Sequence, residues 1–139
     1  MKQLSIKHIA PYLPYSLNGI AEGKDSPDTL LGIYGSDGHT LILCHRVNDH
    51  NTVDYNCWLD EFKPILRPLK EIQDIPEIQE EFSEYHWESF VNSFFLLGRS
   101  LNCFDHVSYT IVELCFKYHL DIFGLIDKGL AIDANTIQQ

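Results

Sequence analysis

The 139-residue sequence predicts an α+β domain, a small antiparallel sheet in the N-terminal half followed by three to four helices. Three observations carry this. Two apolar runs, Thr29 to Tyr34 and Thr40 to Cys44, flank Ser36-Asp-Gly38, which supplies the positive φ angles of a tight hairpin turn. From Asp74 onward the apolar residues recur with a helical period. The chain is also long enough for one hydrophobic core and short for two, so residues 1–139 read as a single domain.

The elements follow in order. Ser5 to Tyr12 starts a short helix that Pro11 and Pro14 stop early, and Leu17 to Ala21 reads as a strand ahead of the hairpin. Residues 46–61 are polar without clear periodicity and read as a long loop bearing Trp58. Lys63 to Leu69 reads as extended, but Pro64 and Pro68 each lack a backbone donor, which assigns it to a sheet edge or a non-strand path.

Asp74 is placed to cap the first main helix, with Glu77 completing a capping box. Ile78, Phe82 and Tyr85 share one face, whereas Trp87, Phe90, Val91, Phe94 and Leu97 fall on another, so a bend is expected near Tyr85 to Trp87. Gly98 ends the second helix. Asp105 caps a third, running to about Tyr118 and apolar around most of its circumference, which makes it the expected most buried element. Asp121 caps a last short helix ending at Gly129, with Leu130 to Ile132 extended.

Composition excludes several classes. With 45% apolar and 12% aromatic residues the chain has the material for a core and is not disordered. The longest apolar run, Phe94 to Leu97, cannot cross a bilayer, and the start lacks a signal-type core, so a cytoplasmic protein is expected. Cys44, Cys57, Cys103 and Cys115 form no Cys-x-x-Cys pair and are expected as reduced thiols, with Cys115 a small core hydrophobe. Charge is uneven. Residues 1–70 hold seven bases and eight acids, while residues 71–139 hold three bases and twelve acids. That surplus disfavours direct binding to nucleic acid or to an anionic membrane.

The acids concentrate between Glu71 and Glu88, where seven occur without a base. Glu77, Glu80, Glu81, Glu84 and Glu88 fall within about a 100° arc of a helical wheel. Carboxylates four residues apart repel by a few tenths of a kcal/mol, roughly. Acids near a helix start favour the macrodipole, which accounts for Glu77 and Glu80 but not for Glu84 and Glu88. The five glutamates are therefore either a solvated face or a partner-binding stripe complementary to a basic surface on another protein.

Other constellations are weaker. His39, Cys44, His45, Asp49, His50 and Cys57 are metal-compatible, and Asp49-His50-Asn51 faintly echoes a metal-dependent nuclease. Adjacent Cys44 and His45 on a strand would point to opposite faces, and His86 stands at the wrong distance to complete the nuclease site. The set supports only an alternative function, a small metal-dependent nuclease or a small-ligand binder using residues 39–57. No cofactor and no catalytic residue is assigned. His86 and His119, beside aromatics, read as packed residues, and Gly35 to Gly38 is a turn that lacks a phosphate-gripping lysine. Tyr12, Tyr15 and Trp58 either anchor a protein partner or close the edge of the core.

Three runs carry a resemblance: His8-Ile-Ala-Pro-Tyr-Leu-Pro-Tyr15, Lys63-Pro-Ile-Leu-Arg-Pro-Leu69, and the stretch from His119 to Asp133. Together they resemble a group of small proteins found mostly in bacteriophage and prophage gene sets. The resemblance implies a phage or mobile-element setting and transfers no activity or site residue. Combined with the acidity, it gives the expectation of a non-catalytic interaction protein acting in the host cytosol on a host protein. The most concrete version is an inhibitor of a defence enzyme that handles nucleic acid, as anti-CRISPR proteins do.

Overall fold

A computed structural model describes residues 4–24, 26–36, 39–47, 52–80 and 109–137. It overturns the predicted architecture. In place of a small N-terminal sheet followed by three to four helices, one six-stranded mixed sheet draws strands from both halves of the chain. The strands are β1 (Asn18–Ala21), β2 (Asp28–Ser36), β3 (His39–Val47), β4 (Thr52–Trp58), β5 (Phe62–Leu66) and β6 (Ile132–Asp133). Their order is β4-β3-β2-β1-β5-β6, antiparallel throughout except for the parallel β5–β6 pair.

Among the described residues the helices are α1 (Ile6–Ile9), α2 (Pro76–Glu80) and α3 (Tyr109–Lys117). The proline-rich opening folds as expected, since α1 gives way to a 3₁₀ segment at Ala10–Tyr15 that accommodates Pro11 and Pro14. Asp74 is not a cap. It ends a 3₁₀ segment, Leu69–Asp74, and α2 opens two residues later on Pro76, whose fixed φ suits a first helical turn. The expected bend near Tyr85 to Trp87, the helix ended by Gly98 and the cap at Asp105 lie outside the described residues. In α3, Leu114 and Cys115 are buried while Glu113 and Lys117 face outward.

The hairpin forms as predicted, its ladder closing at the Ser36–His39 pair. Leu30 pairs with Cys44 and Gly32 with Leu43, so Leu31 is the extra residue of a β-bulge. The supposed loop at 46–61 is largely strand. Tyr55 and Cys57 alternate with Asp54, Asn56 and Trp58, and β4 pairs with β3 along its whole length. The proline-containing segment is also a true strand between β1 and β6. Pro64 is tolerated because β6 pairs only with Ile65 and Leu66, so beside Pro64 the sheet has a neighbour on one side only. The expected helix after Asp121 is replaced by turns. The Asp121 carboxylate does accept the Leu125 and Ile126 N–H groups at 2.7 and 2.9 Å, but the chain then passes Gly129 at φ 75° and turns away from a helical path.

One face of the sheet builds the core. Leu30, Ile42, Cys44, Phe62 and Leu66 pack against Tyr12, Leu17 and Leu125. A second cluster joins Leu69, Ile72, Ile75 and Ile78 to Leu114, Cys115, Leu120 and Ile122, with Phe116 and Phe123 touching both clusters. Gly19 is required by this packing: a Cβ there would stand 2.1 Å from Phe62 Cζ and 2.7 Å from the Lys63 carbonyl oxygen. Gly19→Ala should therefore lower stability by about 1–3 kcal/mol, seen as a reduced urea midpoint with an unchanged slope. A wild-type midpoint would mean that Phe62 does not lie on Gly19.

Candidate functional site

The runs His8 to Tyr15, Lys63 to Leu69 and His119 to Asp133 meet at one junction. Tyr12, buried in the first run, donates its hydroxyl to the Leu120 carbonyl at 2.5 Å. His119 Nε2–H donates to the Tyr15 carbonyl at 2.7 Å. Arg67, from the middle run, donates its N–H to His119 O at 2.8 Å and accepts from Asp121 N–H at 2.9 Å. Beside them, His8 accepts the Ser5 N–H at Nδ1, and its ring lies 5.4 Å from that of Phe123. Burial, then the charges of Lys7 and Lys128, push the His8 pKa down and favour the neutral ring. Burial likewise raises the Asp121 carboxyl, against the two N–H groups it accepts. These contacts satisfy one another and hold the fold, so Tyr12 closes the core and presents no docking surface.

Glu77, the first member of the acidic stripe, is engaged within the chain. Its carboxylate accepts the Tyr118 hydroxyl and lies 3.3 Å from Lys117 Nζ, linking α2 to α3. The Tyr118 bond, followed by Lys117, holds the Glu77 carboxyl below its ordinary range. Glu80 is exposed at the end of α2. Glu81, Glu84 and Glu88 lie outside the described residues.

The sheet divides the His and Cys set. Cys44 and Cys57 lie on the core face, whereas His45 and Asp54 are directly paired on the outer face, with Nδ1 2.5 Å from Oδ1. His45 and Asp54 extend a polar row across four strands, in which the Thr29 hydroxyl donates to the Asn18 side-chain oxygen at 2.9 Å. Among the described residues no three His, Cys, Asp or Glu side chains gather as a metal site. Asp49, His50 and the side chain of His39 lie outside them.

The same outer face bears an apolar row. Tyr34 pairs with Leu41 and Leu41 with Trp58, placing two aromatics on either side of a leucine across three strands. Tyr34 and Trp58 are each 42% exposed, and Leu31, thrust outward by the bulge, is 47% exposed. Trp58 was singled out in the sequence as either a partner anchor or a residue closing the edge of the core, but Tyr34 and Leu31 were not. The period-2 alternation of residues 54–58 marks Trp58 as an outward strand residue, whereas its alignment with Tyr34 is set by the register of β2, β3 and β4.

No helix among the described residues is long and apolar enough to cross a membrane. No protein-family model matches the chain, and neither curated proteins nor solved structures yield a similar one.

Two outcomes test the junction. Tyr12→Phe should cost about 1 kcal/mol and no more, because the Leu120 carbonyl keeps the Ile122 N–H as a second donor. At the rim, Glu71 accepts Arg67 Nε at 2.9 Å and Asn135 Nδ2 at 2.5 Å. Partial burial opposes its ionisation, but these donors and the Arg67 charge outweigh burial and lower its pKa below the ordinary 4.5. Its stabilisation is present above that value and lost as pH falls through the lowered one. Glu71→Gln should thus be about 1 kcal/mol less stable at pH 7, with the gap closing in acid denaturation series below pH 4.5. A gap that persists at low pH would exclude the carboxylate as its source.

Proposed function

We propose that this is a non-catalytic interaction protein of a phage or other mobile element, docking in the host cytosol on a host protein with a basic surface. The observation that carries the reading is the outer sheet face, where exposed Tyr34 and Trp58 flank half-buried Leu41 and the bulge residue Leu31 is also exposed. Aromatic side chains set in an apolar patch are the usual anchors of protein interfaces. The charge of residues 71–139, net −9, adds steering toward a cationic partner. A basic groove that normally holds nucleic acid has the matching chemistry, so a host nuclease of defence is the most concrete target, with inhibition the effect.

The test is affinity capture from nuclease-treated host lysate, followed by titration of the captured protein. Trp58→Ala and Tyr34→Ala should each weaken binding by about 2 kcal/mol, roughly 30-fold, without changing the fold. Charge reversal at Glu80, Glu81, Glu84 and Glu88 should mainly slow association and flatten its salt dependence. Glu77 is left intact because its charge serves the α2–α3 contact. A captured partner whose affinity ignores both sets of changes would remove the proposed surface, and a bait that captures nothing would remove the reading.

A further inference from the structure

β4 is the outermost strand of the sheet, with β3 as its one strand neighbour among the described residues. The register assigns the backbone groups on its open side. Leu30 N–H donates to the Leu17 carbonyl at 2.8 Å, away from β3, so its partner Cys44 also turns its backbone groups outward from that pair, onto Tyr55 of β4. At the far end of β4 the Trp58 N–H goes to the Glu61 carboxylate at 2.9 Å and not to β3. Tyr55 and Cys57 therefore bond to β3, while Asp54 and Asn56 direct their N–H and C=O groups to the open side. Both residues are exposed. Proteins usually block such an edge with Lys, Pro or a bulge. The strand Thr52-Val-Asp-Tyr-Asn-Cys-Trp58 has neither Lys nor Pro, and its register to β3 runs unbroken.

We infer that this edge pairs antiparallel with the same edge of a second copy, joining two six-stranded sheets into one continuous sheet. Three two-fold registers keep most of β4 paired and set its outward-facing backbone groups against each other. Centring on Asp54 opposes two like charges, which destabilises the pair. Centring on Asn56 sets Asp54 against Trp58, whose N–H is already given to Glu61. Centring on Tyr55 pairs all seven residues and sets Asp54 opposite Asn56 twice, each carboxylate facing an amide donor. The third register is the one the chemistry selects. Tyr55 meets its own copy at the axis, but its hydroxyl donates to Asp28 on β2, which draws the side chain inward from the edge.

Charge singles out the same edge. The whole chain carries −10, which opposes self-association, yet strands β2 to β4 contain only Asp28, Arg46 and Asp54 as charged residues. Asp54, moreover, already faces His45, with Nδ1 2.5 Å from Oδ1. Antiparallel pairing about an axis normal to the sheet keeps both outer faces on one side. Goes beyond a single docking face therefore means two: the dimer would present Tyr34 and Trp58 of both copies to the same side.

The experiment uses the full chain. Light scattering during size-exclusion chromatography should give twice the chain mass at high micromolar concentration and the chain mass on dilution, and amide exchange at Asp54 and Asn56 should slow as concentration rises. Asn56→Lys sets an opposite charge against Asp54 at two places and should tighten the dimer about tenfold at low salt, less at high salt. Asn56→Asp should weaken it about tenfold. Asn56→Pro removes a donor that β3 does not use, so a folded monomer is expected by circular dichroism. The inference is overturned if the wild type stays monomeric up to millimolar concentration, if the dimer ignores both charge variants, or if the two amides exchange independently of concentration. Those three results decide it even if the proline variant fails to fold.

Discussion

The parallel bridge between Arg67 and Leu120 is the constraint on which the rest of the structure depends. It joins the two halves of the core, since Leu66 beside it belongs to the sheet-side cluster and Leu120 to the helical one. To enter the bridge the chain must reverse immediately after α3, and His119 does so in the left-handed region at φ 59°. A non-glycine residue holds such a conformation when its surroundings determine it. Here the hydrogen bond from its ring to the Tyr15 carbonyl supplies that determination and fastens the N-terminal 3₁₀ segment to the same point.

The hairpin was legible in the sequence because its signal is local: two apolar runs and the turn residues between them. β4 was equally local but obscured, since Asp54 and Asn56 made the stretch look like loop when they were the polar half of an alternation. β5 and β6 could not be read this way. Pro64 argues correctly against a strand with two full neighbours, and only the two-residue length of β6 removes the objection. The misjudged balance of sheet and helix follows from these strands and from the segment after Asp121, which forms turns where a helix was expected.

The candidate site shows the same divide between local and distant information. A helical wheel places Glu77 with the other acids, but not beside Tyr118 and Lys117, which arrive from about 40 residues further along the chain. Trp58 stood out in the sequence by its size and surroundings, whereas its alignment with Tyr34 needed the register of three strands. The sheet also acts as a partition. It turns a run of residues that reads as one metal-compatible set into thiols on the core face and an imidazole–carboxylate pair on the outer face. Each side then has chemistry the other lacks.

The parallel pairing of Ile65 with Ile132 also bears on how the chain acquires its structure. β1 to β4 are joined by short connections and can zip locally, but β5 gains its second neighbour only across a span of some 67 residues. Closing so large a loop carries an entropic cost before any contact rewards it, which places this step late and makes folding slower than the hairpins alone would suggest. On the ribosome, the sheet must wait with one flank of β5 unpaired until residue 133 has emerged, an interval in which that strand is open to pairing with another chain.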